Sequence, residues 1–201
     1  SIRDKMDKLH ESAEDGQLNE KQSAKMDALE AQYSSLNDKE TQKTGELENL
    51  MEQQKLVAKE AFHEAEAQHF KQEIKDGQDK VADLRDQAGG VPSQSQQEEI
   101  DALEKEIGDN RNSFMVAKLN ADSAAQEAEI RRIEGERAKL EAEQSDLNRE
   151  IGGVPTEAQS DRLDEMSQQM KDLDAREQEA LENIADNEHK ISDINTQSPE
   201  P

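Results

Sequence analysis

A short motif that combines a helix stop with a helix start occurs three times in this chain, and it restricts the fold more than any other feature. The copies begin at Gly16, Gly90 and Gly153 and align without a gap as far as residues 33, 107 and 170. Two of them follow a second glycine and contain a proline, as in "GGVPSQSQQEEIDAL" and "GGVPTEAQSDRLDEM". A spacing repeated in this way predicts a repeated structural unit.

Each position of the motif has a mechanical role at a corner between two helices. Glycine adopts the left-handed conformation that ends a helix, and proline cannot continue that helix. Asn, Ser or Thr then caps the next helix, and a glutamine three residues later completes a capping box. The predicted corner residues are Gly16, Asn19, Gln22, Gly89, Gly90, Pro92, Ser93, Gln96, Gly152, Gly153, Pro155, Thr156 and Gln159.

After each corner, apolar residues recur at alternating steps of three and four, which is the spacing of a coiled-coil core. We call this line of positions the seam. In the last segment it is nearly unbroken, with Glu177 and Asn187 as polar members, and in the first it passes through Leu36, Leu47 and Leu50. A disordered chain has no reason to keep such a phase, so the pattern predicts helices. The principal seam residues are Met26, Leu29, Tyr33, Ile100, Leu103, Ile107, Ile133, Leu140, Leu147, Leu163, Met166, Met170, Leu173 and Ile184.

Corners and seams together predict an all-α protein. The expected architecture is an elongated antiparallel helical hairpin bundle, or coiled coil, with three long helices joined by short Gly/Pro corners. The predicted helices cover residues 2–14, 20–88, 94–151 and 157–194. The corresponding organisation is a short leading helix in 1–15, repeats at 16–89, 90–152 and 153–195, and a linker or tail at 196–201.

Two kinds of segment interrupt the regular pattern. Residues 37–46 contain no apolar seam residue and include Gly45, which lowers helix stability, so the helix there is expected to be exposed, kinked or broken. Residues 55–70 and 114–130 carry broad alanine-rich bands, which predict the closest contacts between helices. Phe62, Phe70 and Phe114 are the expected bulky anchors of these bands.

The charge of the chain restricts its partners. Its 49 acidic and 25 basic residues give a net charge of −24, which repels nucleic-acid phosphates and anionic lipid. No apolar run approaches the roughly 20 residues needed to span a bilayer, and no signal peptide is visible. We therefore predict a soluble protein that binds other protein chains, including copies of itself, through its helical seams. It would bind no nucleic acid and insert into no membrane.

Candidate chemistry is sparse. Glu60 and His63, and again Glu66 and His69, have the Glu-x-x-His spacing of helical di-iron sites, but both pairs lie on one predicted helix instead of facing each other from two. The chain has no cysteine and no recognisable nucleophile–base arrangement. We predict no metal, no cofactor and no enzymatic activity. Arg137 has the spacing for an ordinary helix-surface ion pair with Glu141.

Residues 18–33, "LNEKQSAKMDALEAQY", resemble a pattern found near the N-termini of tailed-phage major capsid proteins. In that family a Leu-Thr-x-Glu-Glu/Gln-x-x-x-Phe-Asp-x-Leu-x-x-Glu-Ile stretch begins a helix of the delta segment. Asn19, Ser93 and Thr156 would take the place of the threonine, and Met26, Ile100 and Leu163 that of the phenylalanine. The resemblance implies an acidic coiled coil that acts as an internal scaffold during shell assembly and is often cleaved afterwards.

Three functions are therefore open at this point. The first is a non-enzymatic structural or assembly protein: an acidic coiled-coil scaffold, spacer or oligomerisation module of the viral scaffolding type, located in the cytoplasm or the virion. The second is the coiled-coil shaft of a secreted toxin, translocator or adhesin. The third is a metal-storing or metal-catalytic bundle, which elemental analysis would test.

Overall fold

The described residues of the computed structural model, 1–12 and 18–197, form four α-helices. These are α1 (Ile2–Glu11), α2 (Glu20–Gln87), α3 (Gln94–Ile151) and α4 (Glu157–Gln197). No strand occurs in these ranges, so the predicted all-α class is confirmed. The chain divides into two compact units, Ser1–Leu50 and Met51–Pro201, and α2 contributes residues to both.

Two helix ends differ from the sequence prediction. α1 ends at Glu11 rather than at residue 14, and the predicted corner glycine Gly16 lies outside the described residues. α4 continues to Gln197, three residues beyond the predicted end at residue 194. The reason is local, because no glycine or proline occurs between Glu157 and Pro199 to end the helix earlier.

The first unit is built by α1 and the beginning of α2. Leu9 packs with Met26 and Leu29 in a small buried cluster, which Ile2, Met6 and Leu18 border. At one end of this contact the guanidinium of Arg3 donates a hydrogen bond to the hydroxyl of Tyr33 and lies 5.1 Å from the centre of its ring. At the other end the Gln22 amide donates to the backbone carbonyl of Ser12. α1 therefore runs antiparallel to α2 and contacts it as far as Tyr33.

Beyond Tyr33, α2 continues through Gly45 without a break. Its apolar residues in this stretch, Leu36, Leu47 and Leu50, are all exposed. Of the alternatives left open by the sequence, the structure shows an exposed but intact helix.

The second unit contains two antiparallel contacts that share α3. In the first, Val81 of α2 packs against Ile100 and Ile107 of α3, with Ile74, Leu84 and Leu103 at the edge. The ion pairs Arg85–Glu104 and Lys59–Glu127 show that the two helices are antiparallel, because residue numbers increase along α3 as they decrease along α2. Gly77 of α2 packs tightly against α3, since an added Cβ at this position would lie 2.9 Å from Cγ1 of Ile107.

The second antiparallel contact joins α3 to α4. Ile133 and Leu147 of α3 are buried, as are Met166, Leu173 and Ala180 of α4. These residues follow the predicted seam positions of both helices. Charged residues that flank this apolar contact form ion pairs between α3 and α4.

The alanine-rich bands pack differently from the prediction. Ala67 of α2 and Ala117, Ala121 and Ala124 of α3 are buried, whereas Phe62 is 60% exposed. Phe62 is therefore not a buried anchor, and that prediction is wrong. A broad apolar band does not indicate which side of its helix packs, and the buried side of α2 carries Ala67 rather than Phe62.

Candidate interaction surfaces

The histidines of the chain do not form a metal centre in the part of the chain that the structure describes. Nδ1 of His63 lies 2.7 Å from the carboxylate of Glu66, whereas the His69 ring lies beside Glu73. No group of three or more His, Asp or Glu side chains among residues 1–12 and 18–197 could hold a metal ion. Other charged side chains of the chain form ion pairs between neighbouring helices.

Helix capping shapes the three predicted corners. The backbone N–H groups of Asn19, Ser93 and Thr156 each donate to the side-chain oxygen of the glutamine three residues later. The side-chain oxygens of these three residues in turn accept from the backbone N–H groups of the same glutamines, Gln22, Gln96 and Gln159. This reciprocal arrangement satisfies N–H groups that would otherwise be unpaired at the start of each helix.

The glycines of the two described Gly-Gly corners do not behave alike. Gly89 and Gly90 both have positive φ, 60° and 122°, whereas in the last corner only Gly152 does, with φ of 50°. Gly152 is the C-cap of α3. The left-handed residue of the last corner is thus Gly152 and not Gly153, from which we began the repeat. The valines that follow, Val91 and Val154, are highly exposed.

A network of charged side chains joins α3 to α4 beside the seam. Arg176 of α4 lies between two carboxylates of α3, Glu129 at 2.5 Å and Glu136 at 3.3 Å. Arg132 also donates to Glu129 and Glu136, within α3. Arg176 thus bridges two carboxylates of α3 that Arg132 also contacts, and such a network fixes the register better than one isolated pair.

Glu129 is the residue most affected by this network. Hydrogen bonds from Arg132, and then from Arg176, lower the pKa of its carboxyl from 4.5 to about 2, although partial burial opposes the shift. The ionised carboxylate is therefore the form that the folded protein stabilises.

Arg137 forms a second cross-helix contact. Its guanidinium, which is only a quarter exposed, donates to Asp174 at 2.7 Å and to Glu177 at 2.5 Å. Both carboxylates belong to α4, and no ion pair of the described residues involves Glu141, so the predicted pairing within α3 is replaced by one between helices. Glu177 is a polar member of the α4 seam, and it is matched by a cation from the neighbouring helix.

The other polar member of the α4 seam is also matched. Asn187 is 5% exposed, and its Nδ2 donates to Asp122 at 2.7 Å and to the Ser123 hydroxyl at 3.2 Å. A buried amide that finds its partners on one neighbouring helix favours a single register, because a shift would leave it unpaired.

An open apolar groove lies at the same end of the α3–α4 contact. It has a volume of about 420 Å³, and its floor is formed by Phe114, Met115, Leu119 and Ile194. The lysines at its rim already have acidic neighbours, since Lys118 pairs with Glu64 at 2.6 Å and Lys190 lies 3.9 Å from Asp186.

The predicted seam residues divide into those with a neighbouring helix and those without. All fourteen principal seam residues are buried or half-buried: Met26, Leu29, Tyr33, Ile100, Leu103, Ile107, Ile133, Leu140, Leu147, Leu163, Met166, Met170, Leu173 and Ile184. By contrast, Leu36, Leu47 and Leu50 continue the α2 seam but are exposed. This second group is the longest uncovered part of a seam in the first unit.

Some residues of these surfaces were not identified from the sequence. The cross-helix roles of Glu129, Arg137 and Arg176 depend on which residues two helices bring together, 37 to 47 positions apart in the chain. The only signal was their place beside the seam, where coiled coils carry interhelical ion pairs.

No protein-family model matches the chain, and neither the curated proteins nor the solved structures include a significant match to it. Within the described residues, no helix combines the length and apolar character that crossing a membrane would require.

Proposed function

We propose that this chain is a non-enzymatic structural or assembly protein, an acidic helical scaffold and spacer whose helices associate as coiled coils. The observation that carries this proposal is the α3–α4 interface. There, seam residues supply the buried apolar contacts, and the flanking charges are used in pairs that hold the register. Arg137 and Arg176 pair with carboxylates of the neighbouring helix, which supports a mechanical role for these charges.

Two further features support a mechanical role. The corner motif recurs with the same capping box, so the chain repeats a way of ending one helix and starting the next. The net charge of −24 keeps the remaining surfaces solvated and disfavours indiscriminate association. Other protein chains would then bind where apolar seam residues stay uncovered.

A viral scaffolding role is the specific form of this proposal that the sequence favours. Its support is the resemblance of residues 18–33 to the delta segment of tailed-phage capsid proteins. In this chain that stretch begins α2, with Asn19 and Gln22 as its reciprocal cap. An internal scaffold needs an acidic helical surface, and the net charge of −24 supplies one.

The spacer role can be tested by measuring how well one helix keeps its length. Because the chain has no cysteine, Asp161→Cys and Glu188→Cys introduce two unique sites for spin labels on exposed positions of α4. The 27 intervening steps correspond to a separation of roughly 40 Å at 1.5 Å per residue. Pulsed electron–electron double resonance should give one narrow distribution of label-to-label distances near that value.

The same labelled protein in urea provides the control, with a broad distribution. If the distance distribution of the native protein were as broad as that of the unfolded protein, a scaffold or spacer function would be ruled out. A helix without a fixed length cannot keep two bound partners at a fixed separation. A turnover assay is not required for this test.

A further inference from the structure

The exposed face of α2 between residues 33 and 50 keeps the seam spacing without interruption. Steps of three and four lead from Tyr33 to Leu36, and then to two charged residues before the spacing returns to leucine. The complete set is Tyr33, Leu36, Glu40, Lys43, Leu47 and Leu50, and we call it the α2 face. The stretch without apolar seam residues is thus a seam with two polar members, as α4 also has.

The α2 face continues an interface that already exists. Leu29 and Met26, one and two steps earlier in the same seam, are buried against α1. Tyr33 is half-buried beneath Arg3, and from Leu36 onward the leucines are exposed. An apolar line that is covered at one end and bare at the other is a place for a further helix.

The charges of the α2 face show which kind of helix fits. Glu40 occupies the repeat position of Glu177, whose carboxylate accepts a hydrogen bond from Arg137 of an antiparallel neighbour. No ion pair among the described residues includes Glu40 or Lys43. A fitting partner therefore presents a cation to Glu40 and an anion to Lys43.

We propose that the partner is a second copy of this chain, paired antiparallel through the same α2 face. The order of residues on this face is self-complementary about a point between Thr41 and Gln42. A two-fold rotation about that point places Leu36 of one copy opposite Leu47 of the other. It also places Glu40 of one copy opposite Lys43 of the other. The same operation brings Tyr33 opposite Leu50, so each contact occurs twice, as two-fold symmetry requires.

The flanking positions agree with this register. Lys39 and Glu46 lie beside the seam on the same edge, so an antiparallel pair brings the lysine of one copy near the glutamate of the other. Asp38 and Gly45 lie on the opposite, outward side, and an added Cβ at Gly45 meets no atom within 4 Å. A parallel pair would instead oppose Glu40 to Glu40 and Lys43 to Lys43, and like charges disfavour it.

This inference rests on the proposed assembly function and makes it specific: the associating surface is the α2 face. Charge variants test it. Glu40→Lys and Lys43→Glu each create like charges across the dimer, so each variant alone should dimerise at least tenfold more weakly than the parent chain in sedimentation velocity. An equimolar mixture of the two restores opposite charges and should recover the dimer. Asp38→Lys, which changes the charge by the same amount on the outward side, should leave dimerisation unchanged.

Cysteine cross-linking tests the register. Leu36→Cys and Leu47→Cys each introduce the single cysteine of their chain, so neither variant can form a disulfide within one chain. In the antiparallel register the cysteines of two identical copies are offset by 11 residues, roughly 16 Å along the helix, which is too far for a disulfide. Mixing the two variants under mild oxidation should give the cross-linked dimer in high yield. Cross-linking of either variant alone would indicate a parallel pair and overturn the proposal.

The result separates this proposal from the more general one. A protein that stays monomeric at all concentrations, or dimers that withstand both charge variants, would show that the α2 face is not the contact. The helix of α4 could still keep its length in the spin-label measurement, and the spacer function would then stand. A broad spin-label distribution together with the predicted cross-link would remove the spacer function and keep the dimer.

Discussion

Leu36 and Leu173 occupy the same position of the repeat, and their surroundings are opposite. Leu173 of α4 is 4% exposed because α3 lies beside it, whereas Leu36 of α2 is 55% exposed beyond the contact with α1. The sequence spacing around the two residues is the same. The seam spacing therefore predicts a helix with an apolar side. Whether that side is buried depends on the presence of a neighbouring helix.

Polar seam residues show the same contrast. Glu177 and Asn187 of α4 are matched by Arg137 and by the Asp122–Ser123 pair of α3. Glu40, at the position that corresponds to Glu177, has no cation among the ion pairs of the described residues. Matched polar residues indicate an interface completed within the chain, and unmatched ones at seam positions point to an interface completed by another chain.

The largest expected effect comes from placing a charge at the two equivalent leucines. Leu173→Asp buries a carboxylate without a partner and should lower the free energy of unfolding by about 4 kcal/mol. Leu36→Asp changes an exposed residue, so at concentrations where the chain is monomeric its effect should stay within about 0.5 kcal/mol. Urea denaturation followed by circular dichroism measures both. Equal losses would mean that the two leucines are equally covered and would remove the comparison.

Asn187→Ala should have the next largest effect. The substitution removes the amide that donates to Asp122 and Ser123, so the two polar side chains lose a hydrogen-bond partner beside the buried seam. We expect a loss of about 1 to 2 kcal/mol in the free energy of unfolding. Leu50→Ala, at the corresponding repeat position of α2, changes an exposed side chain and serves as the control. A variant as stable as the parent would show that the amide does not hold the α3–α4 register.

A pH titration tests the α3–α4 charge network. The folded-state pKa of Glu129 is lowered to about 2 from 4.5, so its ionised form stabilises the fold above about pH 4.5. That contribution is lost as the pH falls through 2. Glu129→Gln should therefore cost about 1 kcal/mol at pH 7, and the difference from the parent should shrink at low pH. Glu150→Gln, at an exposed position, should show no such trend, and a difference independent of pH would contradict the assignment.

The starts of the four helices and the end of α3 could be predicted from the sequence because they depend on local chemistry. A capping box joins residues only three positions apart, as in Ser93 and Gln96, and α3 ends at Ile151, directly before Gly152. The seams could be predicted for the same reason, since each one is a property of a single helix.

The pairing of the helices could not be predicted in the same way. Whether Arg137 meets Glu141 or Glu177 depends on the register between two helices, which no local pattern specifies. The exposure of Phe62 was missed because a broad apolar band does not indicate one face of its helix. The bare α2 face was missed because it depends on how far the contact with α1 extends.

The smallest expected change in stability comes from alanine substitutions at two glycines of α2. Gly45 lies on an exposed part of the helix and Gly77 on a part that α3 covers, so the pair compares the two surfaces directly. At Gly45 an added Cβ meets nothing within 4 Å, so Gly45→Ala should raise the free energy of unfolding by about 0.5 to 1 kcal/mol through helix propensity alone. At Gly77 the same atom would lie 2.9 Å from Ile107, so the gain in propensity is opposed by overpacking against α3. Thermal denaturation should therefore rank Gly45→Ala above the parent and Gly77→Ala below it. Equal stabilisation by both would show that α2 is no more tightly covered at residue 77 than at residue 45. In sedimentation, Gly45→Ala should leave the dimer unchanged because residue 45 lies on the outward side of the proposed pair.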